Sequence, residues 1–322
     1  MEIKAKAGFR DYLAMMRPDY WIKHIFIIPG IVFGLLLGAS DAHIVPIEIA
    51  LGFILAALLS SANYVINEWL DAHFDAHHPS KSQRPAVIKQ VSPAIVIALY
   101  FVLAGSGILL ATFLSTGVTI VALVFLLSGL TYNIAPIRTK DKAYLDVAME
   151  AINNPIRLTL GWLLVDHSTL PPASLVFVYW AAGGFLMSVK RLAEYRSISS
   201  SSGINALHLY RASFRHYSEN ALLIQSFLYA QLSSFFLAVF LIKYRIEYLL
   251  SLPLFALLFA VYFWIGLQPH SSAQAPERLM SEKTLVAIVI ALILLLALLT
   301  WFNIPALAVF SKPFILHTTL IN

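Results

Sequence analysis

The sequence contains no cysteine. Disulfides, thiolate nucleophiles and cysteine-bound zinc are therefore excluded. Charge is scarce as well: 12% of the 322 residues are Asp, Glu, Lys or Arg, against roughly 25% in soluble domains. No polar stretch is long enough to be cut out as a soluble domain, and no strict repeat is visible. About twenty mixed residues precede the first apolar run, without a short h-region or small-residue cleavage site, so no cleavable signal peptide is expected.

What is present is apolar sequence, with 59% of residues hydrophobic. Runs of about 17 to 25 apolar residues recur along the chain, the length a helix needs to cross a hydrocarbon core of ~30 Å. The chain reads as an all-α, polytopic membrane protein, a single transmembrane unit over residues 1–322 with about nine helices around a central cavity. Spans are expected over 22–40, 46–68, 92–112, 117–136, 145–165, 171–190, 220–242, 246–267 and 284–302. The tail "FNIPALAVFSKPFILHTTLIN" is broken by prolines and reads as an interfacial segment.

Lysines and arginines are unevenly distributed. One side would receive the N-terminus and the even-numbered loops, with Lys4, Lys6, Arg10, Arg17, Lys23, Lys81, Arg84, Arg138, Lys140, Lys190, Arg191 and Arg211 among their bases. The other side receives Lys243, Arg245 and Lys312. The positive-inside rule places the first face in the cytoplasm and the C-terminus outside; the membrane is expected to be a prokaryotic plasma membrane. The net charge of +5 reads as this asymmetry, and no nucleic-acid partner is expected.

The second expected span ends in "NYVINEWLDAHFDAHHPSKSQRP". Asn63, Asn67, Asp71 and Asp75 recur every fourth residue, so on a helix they form one slowly drifting stripe, with Glu68 about 100° round. These are oxygen donors, which suit Mg²⁺ rather than zinc, and Mg²⁺ prefers one or two carboxylates plus substrate phosphates. The stripe reads as a holder for a Mg-diphosphate, with Asn67, Glu68, Asp71 and Asp75 as the metal set. A solvated acidic helix end is the bland alternative. His73, His77 and His78 do not have a recognised transition-metal spacing. Lys81 and Arg84 can fold back over the acids to neutralise a leaving diphosphate; alone, they would read as a juxtamembrane anchor.

A second stripe lies in "YNIAPIRTKDKAYLDVAMEAINNPIRLTLGW". Asp146, Glu150, Asn154 and Arg157 share a helix face that descends into the membrane, where an unpaired arginine is expensive. Arg157 must pair with Glu150 or Asn153, or line a cavity. Tyr132, Arg138 and Lys140 mark the mouth of that cavity. A third group, "MSVKRLAEYR", sets Lys190 with Glu194 and Arg191 with Tyr195 at helical spacing, either a simple salt-bridged helix or a third wall of the same cavity. "SISSSSG" after it reads as a flexible hinge, leading to Leu207, Tyr210, Phe214 and Tyr217 at near-helical spacing. Residues 197–219 are thus a possible cytoplasmic cap, or an interfacial connector.

"NEWLDAHFD" followed by "HPSKSQRP" resembles the signature of the UbiA superfamily of intramembrane prenyltransferases. The inferred spans and "YNIAPIRTK" are similar too. Within the superfamily the chain looks closer to the decaprenyl-phosphate phosphoribosyltransferase branch, through "MRPDYWIKH", "HPSKSQRP", "KRLAEYR" and "RASFRHYSENAL". His24 and Glu68 stand where Asn and Asp are usual. Aromatic prenyltransferases of the superfamily carry a second Asp-x-x-x-Asp motif after span six, where this chain has Lys190, Arg191 and Glu194.

The resemblance implies Mg²⁺-dependent transfer of a phosphoribosyl group from phosphoribosyl diphosphate to a polyprenyl phosphate in the membrane. Asp71 and Asp75, with Asn67 and Glu68, would hold Mg²⁺. Lys81, Arg84, Arg138 and Lys140 would stabilise the diphosphate, and Lys190, Arg191 and Lys23 the acceptor phosphate. Prenyl transfer from a polyprenyl diphosphate to an aromatic or other acceptor is the nearest rival. A lipid transporter without chemistry is the other; it would place its polar groups near the midplane, whereas these charges gather at one face.

Overall fold

The computed structural model describes residues 4–76, 81–269, 271–274 and 276–310. His77, His78 and Lys312, and most of the proline-broken tail, lie outside the described residues. The described chain is helical, without strands. In order, its α-helices are α1 Phe9–Met15, α2 Ile28–Leu37, α3 Pro46–Asp75, α4 Pro85–Ile88, α5 Pro93–Leu114, α6 Thr116–Asn133, α7 Leu145–Ala151, α8 Asn153–Leu163, α9 Ala173–Tyr210, α10 Glu219–Tyr244, α11 Leu252–Leu267, α12 Pro276–Leu279 and α13 Lys283–Trp301.

Local chemistry sets many of the boundaries. Pro46 and Pro93 open α3 and α5, where a missing N–H costs no helical bond. Ser115 and Ser218 cap α6 and α10 by accepting from Val118 N and Ala221 N. The backbone turns left-handed at Arg17 (φ 52°), ahead of Pro18, so the chain enters the bundle through the 3-10 helix Pro18–Ile27 before α2.

Among the described residues, eight helical stretches are long and apolar enough to cross a membrane. They match the expected spans except the one over 145–165, which is split into α7 and α8. Pro155 accounts for the break: it has no N–H for Ala151 O and its ring crowds that carbonyl, and α7 ends at Ala151. A second expectation also changes. The serines of "SISSSSG" do not hinge; α9 runs through them and breaks only at Gly203 (φ 80°), a conformation that glycine adopts without strain.

α9 lies along α10, α3 along α5, and α2 along α8. The α2–α8 contact is backbone on backbone. A Cβ on Gly30 would fall 2.0 Å from Leu158 O, and one on Gly161 would fall 2.1 Å from Ile27 O. Small residues drive such close approach where lipid supplies no hydrophobic force. Buried Leu55, Leu59, Val96, Leu103 and Val118 fill the core beside it. Phe101, Phe113, Leu127, Phe227 and Ile293 point outward and are exposed, as side chains solvated by lipid would be. The end of α3, the end of α6, the start of α7 and the last turns of α9 meet at one pole, with nearly all of the charge.

Candidate active site

The α3 stripe runs down from that pole. Asp71 and Asp75 stand at the mouth, and each already has cations. Lys140 Nζ lies 2.5 Å and Arg138 Nη2 3.0 Å from Asp71 Oδ1, while Arg84 Nη1 pairs with Asp75 Oδ2. Arg138 reaches Asp71 from a residue at φ 26°, and it also holds Asp141 at 2.7 Å. One turn deeper, Asn67 Nδ2 donates to Asn133 Oδ1 at 2.5 Å, an oxygen that Lys140 also contacts at 2.8 Å. Deeper still, Asn63 Nδ2 donates to Phe125 O at 3.3 Å.

Glu68 departs from its expected place in the metal set. It is 1% exposed, pairs with Arg17 at 2.9 Å and accepts from Ala86 N at 3.4 Å. Lying about 100° round the helix from the stripe, it faces the N-terminal segment, not the mouth.

The second stripe is divided by the break at Pro155. Asp146 is fully buried and accepts from Tyr217 Oη at 2.8 Å and Ser213 Oγ at 3.1 Å, with Arg191 and Arg211 both 3.3 Å away. Glu150 binds Arg191 at 2.7 Å and accepts from Tyr132 Oη at 2.9 Å. Asn154 packs over Gly183 of α9. Arg157 lies deeper, bonded through Nη1 to Asn153 O at 3.1 Å.

On α9 the expected pairing changes. Glu194 is taken by Arg191 at 3.0 Å, not by Lys190. Arg191, expected to receive an acceptor phosphate, is 2% exposed and held by Asp146, Glu150 and Glu194 together. It ties α7 to α9. Tyr195 turns edge-on to Phe214, 6.1 Å between ring centres, in the apolar cluster of Leu192, Leu207, Tyr210 and Tyr217. Lys190 lies within the electrostatic reach of Glu194, Glu150 and Lys23. Lys23 rests over the Tyr20 ring at 4.3 Å.

The segment after Gly203 covers the mouth. Tyr210 Oη accepts from Lys81 at 2.9 Å, and Arg211 Nη2 donates to Tyr132 Oη at 2.8 Å. Asp71, Asp75, Lys81, Arg138, Lys140, Tyr210 and Arg211 line a cavity of about 40 Å³, room for a few waters and far less than a sugar diphosphate needs. Burial, opposed by Glu194 and Asp75, pushes the Lys81 ammonium down to about 7. Burial, opposed by Asp71, lowers Lys140 to about 8. A larger cavity of about 240 Å³ lies around His43, Glu48, Asp166 and His167, at the opposite pole.

Arg17, Asn133, Arg211 and Ser213 belong to this network although the spacing arguments did not single them out. Asn133 adjoins Tyr132, and Arg211 follows the amphipathic Leu207–Tyr210 turn, so adjacency was the available signal. Arg17 carries no such signal, since its partner is 51 positions away.

Residues 27–281 match the model of the UbiA prenyltransferase family. The chain belongs to that family. Curated relatives include the decaprenyl-phosphate phosphoribosyltransferase of Mycolicibacterium smegmatis, 26% identical over 181 residues, covering 56% of this chain and 55% of the relative. The 4-hydroxybenzoate octaprenyltransferase of Vibrio cholerae is 32% identical over 108 residues, 33% of this chain and 37% of the relative. The chain thus spans little more than half of the first relative's length, and about a third of the second's. Among solved structures, a UbiA homolog from Archaeoglobus fulgidus bound to GPP and Mg²⁺ superposes with a TM-score of 0.67 at 17% identity, over 89% of this chain and 97% of that one. The UbiA bundle is therefore the fold of this membrane protein.

Proposed function

We propose that this UbiA-family transferase moves a phosphoribosyl group from phosphoribosyl diphosphate to a polyprenyl phosphate, with Mg²⁺ as cofactor. One observation carries the reading. The mouth sets Asp71 and Asp75 of one helix face against Lys81, Arg84, Arg138, Lys140 and Arg211, its third acid, Asp141, being held by Arg138, whereas the acids around α9 are consumed by Arg191. That suits one metal-bound diphosphate beside a basic wall. The relatives named phosphoribosyltransferases support it.

The donor set fits Mg²⁺. Asp71, Asp75 and Asn67 present oxygens on successive turns, and among the described residues no cluster of three or more His, Cys, Asp or Glu forms a protein cage. Such a sparse set matches an ion that keeps waters and takes phosphate oxygens. When bound, Mg²⁺ would neutralise charge on the diphosphate and favour its departure.

The remaining work belongs to the chain. Lys140 and Arg138, now on Asp71, and Arg84, now on Asp75, are positioned to turn to phosphate oxygens as the carboxylates take the metal. Lys81 and Arg211 close the wall from above, offering charge-assisted hydrogen bonds. Breaking the anomeric C–O bond builds positive charge on the sugar, while negative charge develops on the diphosphate and meets preorganised cations. The attacking phosphate oxygen is already ionised at pH 7, so no strong general base is required. A movement of the segment from Gly203 onward would widen the cavity for the donor, which does not fit into its volume of about 40 Å³.

Prenyl transfer is the second reading, favoured by the octaprenyltransferase relative and by the GPP-bound structural neighbour. The deciding experiment supplies purified protein with Mg²⁺, labelled phosphoribosyl diphosphate and polyprenyl phosphate. Lipid-extractable label supports the first reading; label entering lipid products only from a prenyl diphosphate supports the second.

A further inference from the structure

Arg191 is committed to three carboxylates, which leaves Lys190 and Lys23 of the three bases expected at the acceptor's negative charge. Arg157 is in the opposite condition. It is 6% exposed, and no carboxylate among the described residues lies within ion-pair distance of it. Beyond the Asn153 carbonyl, its guanidinium has the Phe125 ring at 5.4 Å, and its Nε is buried without a hydrogen-bond partner.

His24 supplies a second orphan. It is 4% exposed; Nε2 faces Ser60 Oγ at 3.4 Å and Nδ1 has no partner. The two residues lie on neighbouring elements, because the Gly30–Gly161 contact locks α2 and α8 side by side and the 3-10 helix Pro18–Ile27 leading into α2 also packs on α8. The helices run parallel there: Gly30 meets Leu158 and Trp162, and Gly34 meets Trp162 and Val165. His24 lies six residues before Gly30, in the 3-10 helix that packs on α8, and Arg157 and Lys23 are the charges that act on it. Tyr64, one turn from Ser60, feels Arg157, Arg17, Glu150 and Lys190. From Tyr64 to Asp71 the rise along α3 is about 10 Å, so this group lies deeper than the carboxylates of the mouth.

An intramembrane cation without a counter-charge is costly and by default functional, because burying one charge alone costs more than burying a pair. Buried polar atoms are almost always satisfied; here one atom in each of two neighbouring groups, Arg157 Nε and His24 Nδ1, is not. We infer that Arg157 and His24, with Ser60 and Tyr64, form an oxyanion-binding subsite inside the bundle that takes the anionic head of the acceptor. The assignment of this oxyanion to the acceptor rests on the donor diphosphate occupying the mouth, as proposed above. Two sources share the chemistry: the phosphate of a lipid phosphate, or the carboxylate of an aromatic acid.

The test uses the full chain in nanodiscs, with calorimetric titration of citronellyl phosphate, 4-hydroxybenzoate and inorganic phosphate, and of Mg-phosphoribosyl diphosphate separately. Wild type is expected to bind one of the two organic oxyanions, and which one names the source. Arg157→Gln should weaken that binding at least tenfold and His24→Gln by a smaller factor. Arg157→Lys should retain part of it, and donor binding should change less than twofold throughout. The ligand-free thermal midpoint of Arg157→Gln should equal or exceed that of wild type, since an unpaired buried charge is gone. Undiminished oxyanion binding in Arg157→Gln, no organic oxyanion bound by wild type, or a lowered midpoint with both ligands weakened alike would overturn the subsite. Failure of wild type to bind phosphoribosyl diphosphate counts instead against the phosphoribosyl reading, and the oxyanion titrations then judge the subsite alone.

Discussion

Lys140 lies 2.5 Å from the Asp71 carboxylate and 2.8 Å from Asn133 Oδ1, while Arg138 shares the same Asp71 oxygen at 3.0 Å. Each acid of the mouth is thus matched to a cation carried by a neighbouring loop. Each carboxylate is paired without ligand, and the cations beyond those pairs, Lys81 and Arg211, leave the mouth with positive charge for a diphosphate. A site so arranged can stay folded when empty and still bind a dense anion.

Replacing Asp71 or Asp75 by Asn should abolish turnover, by at least 10²-fold in kcat/KM, about 2.7 kcal/mol of transition-state stabilisation. The Mg²⁺ concentration giving half-maximal rate should rise for whatever activity remains. A product assay across a Mg²⁺ series checks both effects. Turnover in Asp71→Asn with unchanged Mg²⁺ dependence would remove the carboxylate pair from the mechanism.

Glu68→Gln behaves differently. Its partner Arg17 is 8% exposed, so losing the carboxylate leaves a buried arginine unpaired, at a cost of about 3–5 kcal/mol. Thermal unfolding should show that loss, and the Mg²⁺ dependence of the folded fraction should match wild type. Converting Arg17 to Met in the same chain should recover part of the stability. A shifted Mg²⁺ optimum in Glu68→Gln would return the residue to the metal set.

Lys81, at about 7, and Lys140, at about 8, predict opposite pH trends for stability and donor affinity. Unfolded lysines titrate near 10.4, so between about 7 and 10 the unfolded chain binds more protons than the folded one. Stability contributed by these groups therefore rises with pH through that window. Donor affinity falls through it, because only the charged ammonium holds phosphate. Calorimetric titration of Mg-phosphoribosyl diphosphate from pH 6.5 to 9 should show weakening with proton uptake on binding. Lys81→Met should flatten the lower part of the curve; a flat wild-type profile would contradict the assignment.

Asp146→Asn should loosen the segment from Gly203 to Tyr217 without touching the mouth's carboxylates. Asp146 joins Tyr217 and Ser213 to Arg191 and Arg211. Its loss should expose residues 203–217 to limited proteolysis several-fold faster than in wild type. Asp71→Asn should leave that cleavage rate near wild type.

The spans and the α3 stripe were legible because both rest on periodicity: long apolar runs, and polar residues every fourth position from Asn63 to Asp75. The second stripe was legible as residue types but not as a unit, since "NNP" places a proline where continuity was assumed. Partner choice was not legible. Arg17 meets Glu68, and Arg191 gathers Asp146, Glu150 and Glu194, through packing of helices distant in sequence. Spacing alone equally allowed Lys190 to pair with Glu194. The serines of the α9 extension looked flexible by composition, yet packing of Ile198 and Leu207 in one buried cluster keeps that segment ordered up to Gly203.

The most direct test is the transfer reaction itself. Purified protein in lipid, given Mg²⁺, polyprenyl phosphate and phosphoribosyl diphosphate labelled in the ribose, should yield labelled lipid that disappears with chelation and with Asp71→Asn. No labelled lipid under these conditions, with a prenyl diphosphate instead supporting Mg²⁺-dependent transfer to an aromatic acceptor, would contradict it.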